Sequence, residues 1–246
     1  MPALNPLHRR TVLTQGHVEY IDHMGDDLTV VNAARVSFNK QSEWAQDDQG
    51  DLELRSSDSS LIKYLAEHNH WSPFAHATVT FRIKAPIPIR TQFFKHQIGF
   101  AANEQSKRYI TDPPELYIPA WRSAPDENVK QGSGEFLQDK ISIESCTGLY
   151  ASAASAAIKI YYSLINDKGI APEQARMILP QGVYTEWYWT GSLAAYSRFY
   201  NLRIDPHAQW EIRCYAEVIG EFMEKLYPET WLALTGGNDV TPVPRP

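Results

Sequence analysis

Apolar residues recur along this chain with two different periods, and the periods separate its helices from its strands. In residues 76–84, HATVTFRIK, the side chains alternate. Ala77, Val79, Phe81 and Ile83 fall on one side, with Thr78, Thr80, Arg82 and Lys84 on the other, the mark of a half-buried strand. Elsewhere the spacing is helical. Gly25-Asp26-Asp27 predicts a capped helix running to about Val36, with acidic residues at its positive end. Ser59 or Ser60 predicts the start of a second helix that carries Leu61, Ile62 and Leu65 on one side. Residues 135–165 read as a long helix, rich in Ala and Ile towards its end. Ala171-Pro172 opens a short helix containing Arg176, and Pro180 stops it. Asp205-Pro206 is a good N-cap and first-turn pair for a last long helix, whose Ile212, Tyr215, Ala216, Ile219, Met223 and Leu226 form a core stripe.

Between these elements, residues 39–60 and 124–135 are polar and read as surface excursions. Residues 236–246, GGNDVTPVPRP, read as a flexible C-terminal tail. There is no internal repeat and no linker dividing the chain into halves, so residues 1–235 are expected to form one domain. Many helices with few strands predict an α+β fold: a single mixed domain with a small, mainly antiparallel sheet flanked by long helices.

Composition narrows the function classes. The chain has 246 residues, is 43% hydrophobic and carries 7 Trp and 13 Tyr, enough for a sizeable core. No apolar run approaches the length of a membrane span, and the N-terminal residues show no secretion signal. Two cysteines, Cys146 and Cys214, fit no zinc or redox spacing, so a reduced, cytoplasmic protein is expected. A net charge of −6 argues against a sequence-independent nucleic-acid binder, while leaving room for an anionic small substrate where a few cations converge.

The familiar phosphate cradles are missing: no GxGxxG, Walker loop, HExxH or GxSxG occurs. In residues 85–96, APIPIRTQFFKH, two prolines suit a first helical turn, which would put Gln92 and His96 one turn apart on one face with Lys95 beside them. Gly99 then lets the chain break. Residues 103–109, NEQSKRY, supply amide, carboxylate, hydroxyl, guanidinium and phenol groups, a set that could satisfy a base edge and a phosphate. On composition alone, a solvated loop is the simpler reading of that segment.

Residues 95–109, KHQIGFAANEQSKRY, resemble the signature of the flavin-dependent thymidylate synthases, R-H-R-x-x-S-x-N-E-x-S-x-R-Y. His96, Asn103, Glu104, Ser106, Arg108 and Tyr109 follow the pattern. Lys95 and Gln97 stand where Arg is expected, one extra residue lies between His96 and Asn103, and Ala101 sits nearest the first motif Ser. Further landmarks resemble the family in order: AARVSF (33–38), HNHWSPFAH (68–76), RMILP (176–180) and NLRIDPHAQWEIR (201–213).

The resemblance implies an enzyme, a methyltransferase. It would convert dUMP to dTMP, with 5,10-methylenetetrahydrofolate as carbon donor and NADPH-reduced FAD as hydride donor. It implies a homotetramer with sites between subunits, while charge and hydropathy lead us to expect no nucleic-acid or membrane partner. Gln92, Glu104, Ser106, Lys107, Arg108, Arg176 and Arg203 would bind dUMP, with Arg108 and Arg176 on phosphate and ribose and Arg203 on the uracil. Arg203, Ser106 and Glu104 would be the catalytic set. Ser37, His70, Ser72, Lys95, His96, Gln97, Asn103, Arg198 and His207 would line the FAD site, while Ala75, Ser192 and Ala194 replace polar contacts common in the family. No metal is assigned. Two rival classes stay open: a metal-dependent nucleotide hydrolase using His68, His70 and His76, and a non-catalytic nucleotide-binding homologue.

Overall fold

The alternating segment becomes the middle of the sheet. In the computed structural model, which describes residues 9–109, 112–128, 132–236 and 243–244, β5 (Thr78–Pro86) lies between two partners. Its neighbours are β2 (Gly16–Met24) and β7 (Tyr184–Ser192), with β1 (Arg9–Val12) beyond β2 and β6 (Phe100–Glu104) beyond β7. All four pairings are antiparallel, in the order β1-β2-β5-β7-β6. Phe81 stands opposite Trp189 and Ile83 opposite Trp187, so two apolar rows share one face. Val79, Phe81 and Ile83 are buried, as the alternation requires. A separate two-stranded ladder, β3 (Ala45–Gln46) with β4 (Leu52–Glu53), lies in the first polar excursion.

Helices cover that face. α1 (Asp27–Arg35) starts as predicted, with Asp26 and Thr29 forming a reciprocal capping box. α2 (Ser56–Glu67) begins earlier than Ser59, because Asp58 is drawn into the interior, where Arg35 and Ser42 donate to its carboxylate. α3 (Ile87–Phe93) follows β5 directly, with Pro86 as its N-cap residue. α4 (Lys140–Asn166) is shorter than the predicted 135–165 at its start. Its N-cap is Asp139, and the residues before it pair with another segment: Ser123 N donates to Glu135 O and Leu137 N to Trp121 O. A backbone committed to that ladder cannot also enter a helix.

α5 (Pro172–Ala175) runs into a 3-10 turn over Arg176–Ile178, and the chain extends at Leu179, just before Pro180. α6 (Leu193–Arg203) follows β7 through the capping hydroxyl of Ser192. α7 (Trp210–Leu226) starts four residues later than the Asp205-Pro206 pair predicts, and α8 (Pro228–Thr235) follows it. Asp205 caps a tight turn instead, accepting from His207 N at 2.7 Å while Ala208 N donates to Asp205 O at 2.9 Å. The core stripe of α7 is in place, with Ile212, Tyr215, Ala216, Ile219 and Met223 buried. Among the residues of the tail, Val243 is buried and Pro244 O accepts from the Trp210 indole; residues 237–242, 245 and 246 lie outside the described set. No described helix is long and apolar enough to cross a membrane.

Candidate functional site

Three elements meet where β5 passes into α3. Ile87 N donates to Val183 O at 3.1 Å, tying the start of α3 to the start of β7. Gln105 N donates to Glu186 O at 2.9 Å, carrying the β6 ladder one residue beyond the strand. The chain then turns, with Tyr109 N bonded to Ser106 O at 3.0 Å, and this turn faces α5 and the Arg176 turn. The result is a cavity of about 510 Å3 lined by Arg90, Glu104, Ser106, Lys107, Glu173 and Arg176, among others.

Four of the seven expected dUMP residues are therefore brought together: Glu104, Ser106, Lys107 and Arg176. Arg176 Nη1 lies 3.5 Å from Ser106 Oγ. Lys107 donates from Nζ to Asp112 O at 3.2 Å, and burial pulls its ammonium below the usual lysine range against the opposing pull of Asp112 and Glu115. Arg108 stands outside the lining; it pairs with Glu173 at 3.1 Å, with its guanidinium over the Tyr109 ring. A set rich in guanidinium and ammonium groups suits a phosphate.

Gln92 and Arg203 do not line that cavity. Gln92 donates to Gln209 Oε1 at 2.6 Å. Arg203, at the end of α6, donates from Nε to His96 Nε2 at 3.0 Å. His96 does not ride on α3 one turn from Gln92, because α3 ends at Phe93. Lys95 N and His96 N close tight turns onto Gln92 O and Phe93 O, and the buried Phe93 ring anchors that bend.

This segment turns at a left-handed Gly99, φ +82°, where an added Cβ would meet Ala195 Cβ at 2.9 Å. Arg198 Nη2 holds Ile98 O at 3.0 Å, so one of the expected flavin contacts supports the turn. Gln97 O accepts from Phe100 N in the same turn, and Asn103 faces Tyr188 on the β6–β7 ladder.

The Arg203 bond assigns the protons of His96. Nε2 accepts, so the ring is neutral with its proton on Nδ1. Burial, then Arg203, then Arg198 push its pKa down to about 4. The unfolded chain takes up this proton near pH 6.5, the folded one only near 4. Between those values the unfolded state holds more protons, so stability falls as the pH drops through that window. Thermal midpoints measured from pH 7 to pH 4 are expected to fall less steeply in His96→Gln, whose amide oxygen can accept from Arg203 without titrating.

A second cavity, of about 870 Å3, lies between α1 and α2 and is lined by Ser37, His70 and Ser72 together with Phe38 and Trp71. Its size and mixed aromatic and polar lining suit a cofactor with a flat ring. Phe38 is 77% and Trp71 63% exposed. His207 lines a third cavity with Gln209, Trp210 and Arg213. The three cavities share no lining residue. His68 and His70 pack their rings on Tyr64, and no group of three or more His, Cys, Asp or Glu among the described residues could hold a metal ion. Arg90 and Thr185 are cavity residues that sequence reasoning did not find. The alternation in TEWYWT of β7 was the available signal for Thr185; nothing in APIPIR marked Arg90.

The model of the family described as thymidylate synthase complementing protein matches residues 19–229. The chain belongs to that family. Among curated relatives, a flavin-dependent thymidylate synthase of Thermosipho africanus is 36% identical over 90% of this chain and 92% of its own. One of Thermotoga neapolitana is 37% identical over 90% and 92%. Among solved structures, a UMP/dUMP methylase, PolB, of Streptomyces cacaoi bound with 5-bromo-dUMP is similar at 30% identity and a TM-score of 0.77. That alignment covers 92% of this chain and 97% of the other. The family match extends across β6 and the turn after it, so the cavity at Glu104–Arg176 lies inside the shared fold.

Proposed function

We propose that the protein is a flavin-dependent thymidylate synthase that methylates dUMP reductively to dTMP, with methylenetetrahydrofolate as carbon donor and NADPH as reductant. The observation that carries this reading is the convergence of Glu104, Ser106, Lys107 and Arg176 on one cavity, three of them within the segment that resembles the family signature. Arg176 and Lys107 would take the phosphate, Ser106 would donate to it, and Arg108 would close the rim through Glu173.

Gln92 and Arg203 would reach the uracil from a neighbouring copy, which is how residues that line separate regions of one protomer can serve one site. The exposed Val36, Phe38 and Trp71 supply apolar surface for such an assembly. The homotetramer belongs to this proposal. FAD would lie against Ser37, His70 and Ser72, with Lys95, His96, Gln97, Asn103, Arg198 and His207 contributed around it. Bound flavin supplies the hydride that completes the methyl group. Arg203, held in place by its bond to His96, would draw electron density from the uracil, which makes its ring carbon more reactive without a cysteine nucleophile.

The test is a product assay with dUMP, methylenetetrahydrofolate, FAD and NADPH, with UMP run alongside. Formation of dTMP dependent on all four is expected. Binding of dUMP without any turnover would replace the enzyme with a nucleotide-binding homologue; metal-dependent nucleotide hydrolysis would replace it with the other rival.

A further inference from the structure

We infer that Arg90 and Thr185 are positioning residues: they fix the Glu104 carboxylate to accept a sugar hydroxyl of the bound nucleotide. The inference rests on the reading of this cavity as the nucleotide site.

One hydroxyl donor and one guanidinium converge on one oxygen. Thr185 donates from Oγ1 to Glu104 Oε1 at 2.7 Å, and Arg90 Nε stands 3.0 Å from the same atom. The three side chains come from β7, β6 and α3, and all of them line the cavity. Each is itself held. Thr185 is buried, and the Arg90 guanidinium lies over the Phe94 ring, 5.1 Å from its centre, while Phe94 packs edge-on against the buried Trp187. The Arg90 and Glu104 side chains are only 26% and 23% exposed, so this pair is sheltered from the solvent that makes surface ion pairs weak.

A carboxylate only accepts hydrogen bonds, so it repels a phosphate and seeks an O–H or N–H of the ligand. With the phosphate on Arg176 and Lys107, the donor within reach of Glu104 is on the sugar, because Glu104 stands only two residues from Ser106, whose hydroxyl faces Arg176. The Thr185 hydrogen bond and the Arg90 ion pair both fall on Oε1, which leaves Oε2 as the oxygen for the ligand. Arg90 has a second effect: it offsets the negative charge that Glu104 would otherwise present to an anionic nucleotide. A carboxylate free to rotate, or left without its cation, would bind the sugar less well. Arg90 thus acts through Glu104 and need not touch the ligand.

The experiment compares dUMP with 2′,3′-dideoxyuridine monophosphate by titration calorimetry on the flavin-loaded protein. Wild type is expected to prefer dUMP by about 10-fold, the size of one hydrogen bond to a charged group. Arg90→Gln and Thr185→Val should each lose most of that preference by weakening dUMP, with the dideoxy analogue changed little. The double variant Arg90→Gln/Glu104→Gln should bind dUMP no worse than Glu104→Gln alone, since a residue acting through another adds nothing once that partner is gone. An undiminished preference in both single variants overturns the inference. So does an additive double variant, which would mean that Arg90 contacts the ligand itself. A purely structural role would weaken both nucleotides equally. If Arg90→Gln does not fold, the near-isosteric Thr185→Val decides alone. Arg176→Ala separates the two failures: unchanged dUMP affinity there removes the nucleotide reading and the inference with it, whereas a large loss there with intact preference in Arg90→Gln removes the inference only.

Discussion

Replacing Arg176 with alanine is expected to weaken dUMP binding by about 10- to 100-fold, since a hydrogen bond to a charged group is worth roughly 1.5–3 kcal/mol. Arg176 lines the cavity from the turn after α5, and its one side-chain hydrogen bond among the described residues is the 3.5 Å contact with Ser106. No carboxylate of the described residues lies at ion-pair distance, so its charge is available for a ligand. Arg108 differs: it is committed to Glu173, in a pair about half exposed on both sides. The family pattern alone gives these two arginines similar weight, and the tertiary structure puts the greater loss on Arg176. Equilibrium titration of dUMP into the purified variant measures it; an affinity within twofold of wild type would remove Arg176 from the site.

Phe93→Ala is the substitution expected to cost most stability, about 3–5 kcal/mol. Phe93 is fully buried, and its ring stands between Trp187, Trp189, Phe199 and Tyr215 at 4.9–5.8 Å. Removing it leaves a cavity bounded by large rings from β7, α6 and α7, which cannot collapse to fill it. At roughly 2–4 °C per kcal/mol for a chain of this size, the thermal midpoint should drop by about 10 °C. The bend after α3 should loosen too, because His96 N bonds to Phe93 O and the His96 ring packs on Phe199. Calorimetry measures the first effect, and a lower Arg203-dependent activity would report the second.

Local chemistry decided which elements could be read in advance. The Asp26 cap, the alternation of β5 and the stripe of α7 each depend on residues close in sequence, and each is present. Boundaries failed where a distant partner intervened. α4 starts late because residues 135–137 pair with residues 121–123, and α2 starts early around a buried Asp58 that Arg35 holds. β7 was not distinguished, although its Thr185, Trp187 and Trp189 alternate towards the core, because aromatic residues are consistent with either a strand or a buried helix.

The sequence by itself determined the family, through residues 103–109 and 201–213, and with it the chemistry to look for. Such motifs are contiguous, so a linear reading finds them whole. Only the tertiary structure decided how their residues are grouped. It placed Glu104 against Arg90 and Thr185, and Arg203 against His96, and it kept Ser37, His70 and Ser72, which the family resemblance assigns to flavin, in a cavity of their own. The physical reason is separation along the chain. Thr185 lies 81 residues from Glu104 and Arg203 107 from His96, so these contacts exist only once the sheet and the core beneath it have formed.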